Sequence, residues 1–322
     1  MISNRLSYFF NLNGPSSVVD TACSSSFFAL QQALLSIRTG LCNSAIVASA
    51  TTHHDAISSH CFHKLKMTSP DGKSKCFDAS ADGYVRAEAA VAIYICKKQV
   101  AKRSYCTVVH AVTNCDGYKE EGITFPSEIY QERAIRQVYK EAGVNPLDVG
   151  YIEAHGTGTK VGDPQEMKAV TNVFCDGRET PLLIGSIKSN MGHPEGTSGL
   201  CAIAKIILSN ATGVIPANLH YNNPSPDIPG LHDGRLKVVD KNQSFIVNYV
   251  GINSMGFGGS NVHVLVKLDS KQQPEPYWSP TVPVIIICSG RTQEAVKIFL
   301  EKTLSRRQNH SFVRLTHEIY RS

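Results

Sequence analysis

Asp20-Thr21-Ala22-Cys23-Ser24-Ser25-Ser26 lies between two segments of different periodicity. Before it, Ser16-Ser17-Val18-Val19 has the composition of a strand. After it, Phe27 to Ile37 sets Ala29, Leu30, Ala33, Leu34 and Ile37 at helical spacing. The pattern predicts a strand turning into a helix, with Cys23 at the junction. A thiol there would meet the free N–H groups and positive dipole end of the helix, which favour the thiolate. The neighbouring Ala and Ser side chains are small and leave room for a substrate. Taken alone, such a cysteine is more often a buried structural residue. The other stretches have to decide between the two readings.

Working outward, strand and helix signals alternate, which predicts an α/β fold with buried sheets. Ser44 to Ala50 and Ala89 to Ile95 read as apolar strands, with the turn Ser69-Pro70-Asp71-Gly72 between them. A second series starts at Tyr105–Val112, a strand. It continues through a loop (113–127) into an amphipathic helix from Glu128 to Ala142, closed by Gly143. Strand Val149–Glu153, helix Pro164–Phe174, strand Leu182–Gly185 and helix Ser198–Leu208 follow, and a last strand pair flanks Gly251 to Asn261 and ends near Leu268. Two such series suggest a duplicated α/β core. From Asp269 the composition changes to a Pro-rich linker, Gln272 to Pro280, followed by a short strand (284–287) and a helix (292–303).

Composition narrows the function. The chain has 322 residues, enough for about two domains at ~150 residues each. Its net charge is +5, from 32 basic and 27 acidic residues scattered along the sequence. That balance, without an Arg/Lys block, argues against nucleic acid and suits an acidic protein partner. The ten cysteines contain no CxxC and no paired framework, as in a reducing cytoplasm. No apolar run reaches the roughly 18 residues of a membrane helix, so no membrane span is expected. His53, His54, His60, Cys61 and His63 gather in one polar stretch without standard zinc spacing, so no metal site is assigned.

Three further stretches match the Cys23 site in kind. Glu153-Ala154-His155-Gly156-Thr157-Gly158-Thr159 places a histidine at a strand end before a glycine-relaxed loop, and Lys188-Ser189-Asn190-Met191-Gly192-His193 does so one strand later. A lone histidine after a strand is more often structural, but two in parallel positions are harder to dismiss. Asn253 to Asn261 is glycine-rich without GxGxxG order or a P-loop Lys-Ser/Thr. A tight turn bringing backbone N–H groups to a reacting carbonyl fits it, as does a plain hairpin turn.

Together these four motifs resemble the β-ketoacyl synthases of the thiolase-like fold. Their order and spacing also match, with 132 residues from Cys23 to His155 and 38 from there to His193. The stretches 116–127 and 158–166 are most similar to the ketosynthase of animal-type multifunctional fatty acid synthase. The tail from Val284 resembles the linker joining that domain to an acyltransferase.

The resemblance implies a thiolase-like duplicated core, layered α-β-α-β-α. Residues 1–104 would form a partial N-terminal half, 105–268 the C-terminal half, and 269–322 the linker and the start of a small α/β linker domain. Only 22 residues precede Cys23, so an N-terminally truncated chain with an incomplete first half is expected.

By the same resemblance Cys23 carries the acyl chain, and His155 and His193 act on a malonyl thioester. That role requires both histidines to be neutral, which desolvation favours. Lys188 orders the histidines, the N–H groups of Cys23 and Phe257 form the oxyanion hole, and Phe257 gates the pocket. Thr157 and Thr159 hold the pantetheine arm. For Lys188 the residues alone suggest a surface salt bridge. Met255 stands where the family has an aromatic residue beside the gate. No bound cofactor is implied, because phosphopantetheine arrives on an acyl carrier protein. A homodimer and a neighbouring acyltransferase domain are implied as partners.

Related classes separate on residues. A degradative thiolase needs a second cysteine in the glycine turn, and none lies between Cys201 and Cys288. Carrier-independent starter synthases pair Cys and His with Asn, where this chain has His193. A papain-like protease lacks support in the sequence around Cys23. A type I polyketide synthase domain and a catalytically inactive fragment stay open as alternatives.

Overall fold

The computed structural model describes residues 1–269, 285–290, 292–307 and 310–319. In chain order the first part holds α1 (Ile2–Phe9), α2 (Ser25–Arg38), β1 (Ser44–Thr51), α3 (Ile57–Lys64), β2 (Ala89–Cys96), β3 (Cys106–Cys115) and α4 (Glu128–Ala142). There follow β4 (Val149–Glu153), α5 (Gly162–Phe174), β5 (Leu182–Gly185), α6 (Lys188–Met191), α7 (Ser198–Thr212), β6 (Val214–Ile215) and α8 (Pro229–His232). The last elements are β7 (Leu236–Val238), β8 (Gln243–Ser244), β9 (Tyr249–Gly256), β10 (Ser260–Leu268), α9 (Gln293–Ser305) and α10 (His310–Ile319). Two compact units divide the chain, Met1–Asp269 and Ser270–Ser322.

The main sheet of the first unit has six strands in the order β3-β10-β9-β4-β5-β7. β9, β4, β5 and β7 run parallel, while β10 is antiparallel to both β9 and β3. Strands buried on both faces carry continuous apolar runs, and β9 and β10 are buried along nearly their whole length. On one face Ile135, Val138 and Tyr139 of α4 join Val170 and Phe174 of α5. On the other, Phe27 and Leu30 of α2 meet Leu200, Ile203 and Ile206 of α7. Gly199 lets those two helices approach, because a Cβ there would collide with the Phe27 ring.

Beyond α2 and α7 lies a two-stranded antiparallel sheet, β1 with β2. Val47 turns inward and is buried, whereas its neighbour Ile46 and the cross-strand partner Tyr94 are 40% and 67% exposed. The described residues therefore build four layers, α-β-α-β, of the thiolase-like fold.

Most predicted elements form at the expected bounds, α4 with Gly143 at φ 64° among them. Two do not. Residues 16–19 are irregular, since no strand among the described residues hydrogen-bonds with them, and α2 starts at Ser25, two residues early. Residues 285–290 form no strand, so the strand expected at 284–287 is not found among the described residues. Val284 and the Pro-rich stretch 272–280 lie outside the described residues. In the second unit the Thr292 side chain caps α9, accepting from the Ala295 N–H at 3.2 Å.

Candidate active site

Cys23 sits just before the helix cap, on a turn that holds the backbone in an unfavourable conformation. Ala22 adopts φ 55°, a region that costs a non-glycine residue about 1–2 kcal/mol. Local hydrogen bonds hold it: Asp20 Oδ1 accepts from Ala22 N at 3.0 Å, and Ser25 Oγ donates to Ala22 O at 2.6 Å. The Cys23 carbonyl accepts from Ser198 Oγ at 3.1 Å and from Ser254 Oγ at 3.0 Å. Those two hydroxyls tie the Cys23 turn to α7 and β9. Gly256 closes the arrangement, because a Cβ there would strike Thr21 O and stand 2.7 Å from Ser24 Oγ.

The expectation of a thiol lowered by the helix end is not met. Burial pushes the Cys23 thiol above its ordinary value, and this outweighs the opposing groups. Those are the backbone N–H of Phe257, the charge of Lys188 and the N–H of Cys23 itself, while Glu195 adds to the rise. The two N–H groups expected to form an oxyanion hole are thus the two that favour negative charge on this sulfur.

His155 follows β4, and His193 follows α6 one strand over. Their rings stand edge to face, centroids 5.4 Å apart at 86°. His155 Nδ1 and both ring nitrogens of His193 are buried with no hydrogen-bond partner among the described residues. Buried polar atoms are seldom left so, and here three of them gather on two rings that touch. Burial, then the charge of Lys188, lowers both imidazoles well below the ordinary histidine value. Both are neutral at pH 7. The Tyr84 ring packs against His193 at 5.0 Å, and His193 N–H donates to Val85 O at 2.7 Å.

Lys188 is buried and makes no salt bridge among the described residues. Its Nζ donates to His155 O at 2.6 Å. Burial lowers its pKa, with Glu166 the largest opposing influence. The lysine charge acts on Cys23, His155 and His193 alike, so the structure brings all four groups into one electrostatic neighbourhood.

Phe257 lies in the turn between β9 and β10, 38% exposed, with its ring 6.5 Å from Phe62 of α3. Met255 is buried on β9 beside it. Thr157 and Thr159 follow His155, their hydroxyls 3.3 Å apart, and Thr159 Oγ1 accepts from the Gly162 N–H.

Several supporting groups carry no signal in the sequence. Glu166 Oε1 accepts from His155 N at 2.7 Å and Oε2 from Gly156 N at 2.8 Å, clamping the turn that carries the first histidine. Asp163 does likewise for Gly158 and for Phe77, and burial lifts its pKa to about 7. Arg86 pairs with Glu195 at 2.6 Å and stacks over Phe62. The stretch 158–166 contains the two carboxylates, but only tertiary structure shows which N–H groups they accept.

Comparisons with known proteins agree across the chain. Models for the β-ketoacyl synthase N-terminal domain, its C-terminal domain and the ketoacyl-synthetase C-terminal extension match residues 1–101, 105–222 and 224–322. The fatty acid synthase of Anser anser anser is 51% identical over 66% of this chain and 61% of its own length. A phenolphthiocerol/phthiocerol polyketide synthase of Mycobacterium tuberculosis is 38% identical over 92% of this chain and 16% of its own. Among solved structures, an oxazolomycin ketosynthase domain of Streptomyces albus JA3453 superposes with TM-score 0.80 at 31% identity, over 85% of this chain and 50% of its own. A mutant ketosynthase from module 6 of the Bacillus subtilis 168 bacillaene synthase gives 0.84 at 28%, over 93% and 53%. The chain thus spans about half the length of these solved domains. No helix among the described residues is long and apolar enough to cross a membrane.

Proposed function

This chain belongs to the β-ketoacyl synthase family, and on that premise we propose that it carries the decarboxylative condensation of fatty acid biosynthesis. One observation carries the reading: two neutral, edge-to-face imidazoles with unpartnered nitrogens share a buried site with a thiol that two backbone N–H groups serve.

In the first half-reaction the Cys23 thiol gives up its proton and its sulfur attacks an acyl thioester on the phosphopantetheine of an acyl carrier protein. A C–S bond forms to Cys23 as the bond to the pantetheine sulfur breaks, and the departing thiolate takes up a proton in place of the one Cys23 released. A malonyl-carrier protein then enters, its arm held at Thr157 and Thr159. Its C–CO₂ bond breaks, and the electron pair moves into an enolate whose oxygen accepts N–H hydrogen bonds from His155 and His193. Neutral imidazoles suit this step because each offers one N–H donor without needing a proton from solvent. The enolate carbon attacks the Cys23 thioester, and the N–H groups of Cys23 and Phe257 hold the oxyanion. Collapse expels the Cys23 thiolate and leaves a β-ketoacyl chain two carbons longer.

The 51% identity to a fatty acid synthase, against 38% to a polyketide synthase, supports the fatty-acid reading over the polyketide one. In this reading the chain works in the cytoplasm as a homodimer beside an acyltransferase domain. Incubation with acyl-carrier protein, followed by mass spectrometry, tests it. An adduct on Cys23 that Cys23→Ala abolishes is expected. A folded sample that forms none leaves the inactive-fragment alternative standing and removes the enzymatic one.

A further inference from the structure

A line of buried polar groups runs from α4 to the His155 turn. Tyr139 OH lies 3.0 Å from His263 Nε2, and His263 Nδ1 lies 2.6 Å from Asn253 Oδ1. Asn253 Nδ2 donates to Glu166 Oε1 at 2.8 Å, and that oxygen also accepts the His155 N–H. His263 is completely buried, and Tyr139, Asn253 and Glu166 are each at most 3% exposed.

The direction of every hydrogen bond is fixed by its neighbours. Glu166 already takes two backbone N–H groups, so Asn253 must present its NH₂ to it and its carbonyl to His263. An acceptor facing Nδ1 requires the proton there, which leaves Nε2 to accept from Tyr139 OH. Burial brings the His263 pKa down to about 3, so the ring is neutral. Burial also raises the Tyr139 phenol, so its O–H stays available.

The backbone makes room for this line. His263 and Asn253 are cross-strand partners on β10 and β9. A Cβ at Gly251 would stand 2.8 Å from His263 Cε1 and 3.0 Å from Nε2, so only glycine there admits the imidazole. An apolar residue at 263 would fill such a site without needing partners on either side. The imidazole is held in one tautomer instead.

We propose that His263 is a positioning residue for His155: it fixes the Asn253 amide, which fixes Glu166, which anchors the backbone of the histidine turn. This rests on the condensing role proposed above for His155. Without the His263 Nδ1–H, nothing on that side prevents Asn253 from turning its carbonyl toward Glu166, and the carboxylate would then lose one of its donors.

Three forms of the 322-residue chain test this, wild type, His263→Leu (of similar volume) and His263→Asn, whose amide can replace Nδ1–H. Long-range ¹H–¹⁵N spectra of histidine-labelled protein report tautomers and the state of the His155 ring without turnover. Malonyl-pantetheine decarboxylation and Cys23 acylation are measured on the same samples. Expected are a wild-type His263 protonated at Nδ1 and, in His263→Leu, displaced or broadened His155 signals. The decarboxylation kcat should fall by about 10²-fold with KM and Cys23 acylation little changed, as small misplacements of a catalytic group allow. His263→Asn should recover most of the loss.

An Nε2–H tautomer, unaltered His155 signals in His263→Leu, or parallel loss of acylation and decarboxylation would each overturn the proposal. A wild type that neither acylates nor decarboxylates counts against the condensing role itself, while the spectra still decide whether His263 positions His155.

Discussion

His155 and His193 meet edge to face at 5.4 Å, and neither ring is protonated at neutral pH. Each sits on a different strand-end segment, yet both are lowered first by burial and then by Lys188. Two cations at this separation would repel strongly in a desolvated site. The neutrality that burial gives each ring is what lets the two stand this close.

A base with a lowered pKa stays neutral as pH falls, until the lowered value is reached. Decarboxylation of malonyl-carrier protein is accordingly expected to hold constant as pH drops through the ordinary histidine value of about 6.5 and to fail only below it. Lys188→Met removes a charge that lowers both rings, so the acid limb should move up in pH. It should remain below 6.5, because burial is the larger cause. A wild-type profile with a midpoint at 6.5 or above would refute the assignment.

For Cys23 the sign is opposite. Burial raises the thiol above the ordinary cysteine value of 9.0, so the thiolate fraction is small at neutral pH and grows with alkali. The rate of alkylation by iodoacetamide should climb about tenfold per pH unit, without a plateau, through pH 9. Lys188→Met should slow it at any given pH, since the lysine charge favours the thiolate. A plateau below pH 8 would show that the helix end and the two N–H groups outweigh burial.

How far the sequence reveals this site depends on whether the relevant contact is local. Cys23, His155, His193 and the glycine turn are legible because each follows a strand or opens a helix, and such positions leave a periodic and compositional trace. Lys188 shows the limit: its residue type alone suggests a surface cation, and its contact with the His155 carbonyl appears only in the folded chain. The raised Cys23 thiol is hidden for the same reason, since burial belongs to the folded chain and outweighs what the start of α2 offers locally. The Ser16–Val19 segment has strand composition but no strand to pair with, and pairing is a tertiary fact. His263 leaves no signal at all. It is an ordinary strand histidine until its cross-strand partner and the space left by Gly251 are known.

Gly256 is expected to be irreplaceable for a reason unrelated to the glycine turn's freedom. A methyl group there would press on Thr21 O and Ser24 Oγ, the two atoms that Ser24 joins by a hydrogen bond at the Cys23 turn. Gly256→Ala should destabilise the fold by about 1–3 kcal/mol, the range for overpacking a tight site. It should also reduce Cys23 acylation. Gly258→Ala is the comparison: nothing lies within 4 Å of its Cβ, though its φ of 105° adds backbone strain. Denaturant unfolding of the two variants checks the order, and similar acylation losses in both would show that turn flexibility, not the clash, controls the nucleophile.

Behind both histidines lies the ion pair of Glu153 and Lys205, 2.6 Å apart with side chains 0% and 5% exposed. Glu153 ends β4, two residues before His155, and its second oxygen accepts the Ile187 N–H immediately before Lys188. One carboxylate thus joins the two segments that supply His155 and Lys188, while Lys205 holds it from α7 together with Tyr151 OH. Lys205→Met leaves that carboxylate buried without its counterion. Breaking a buried pair from one side typically costs about 3–5 kcal/mol, more than the pair itself contributes. The melting temperature should fall accordingly. Replacing both partners, Glu153→Gln with Lys205→Met, should recover part of that stability because no uncompensated charge remains. Recovery of stability without recovery of decarboxylation would show that Glu153 matters for where Ile187 and Lys188 are placed, whereas a double variant no more stable than Lys205→Met would rule out the stranded charge as the cause of the loss.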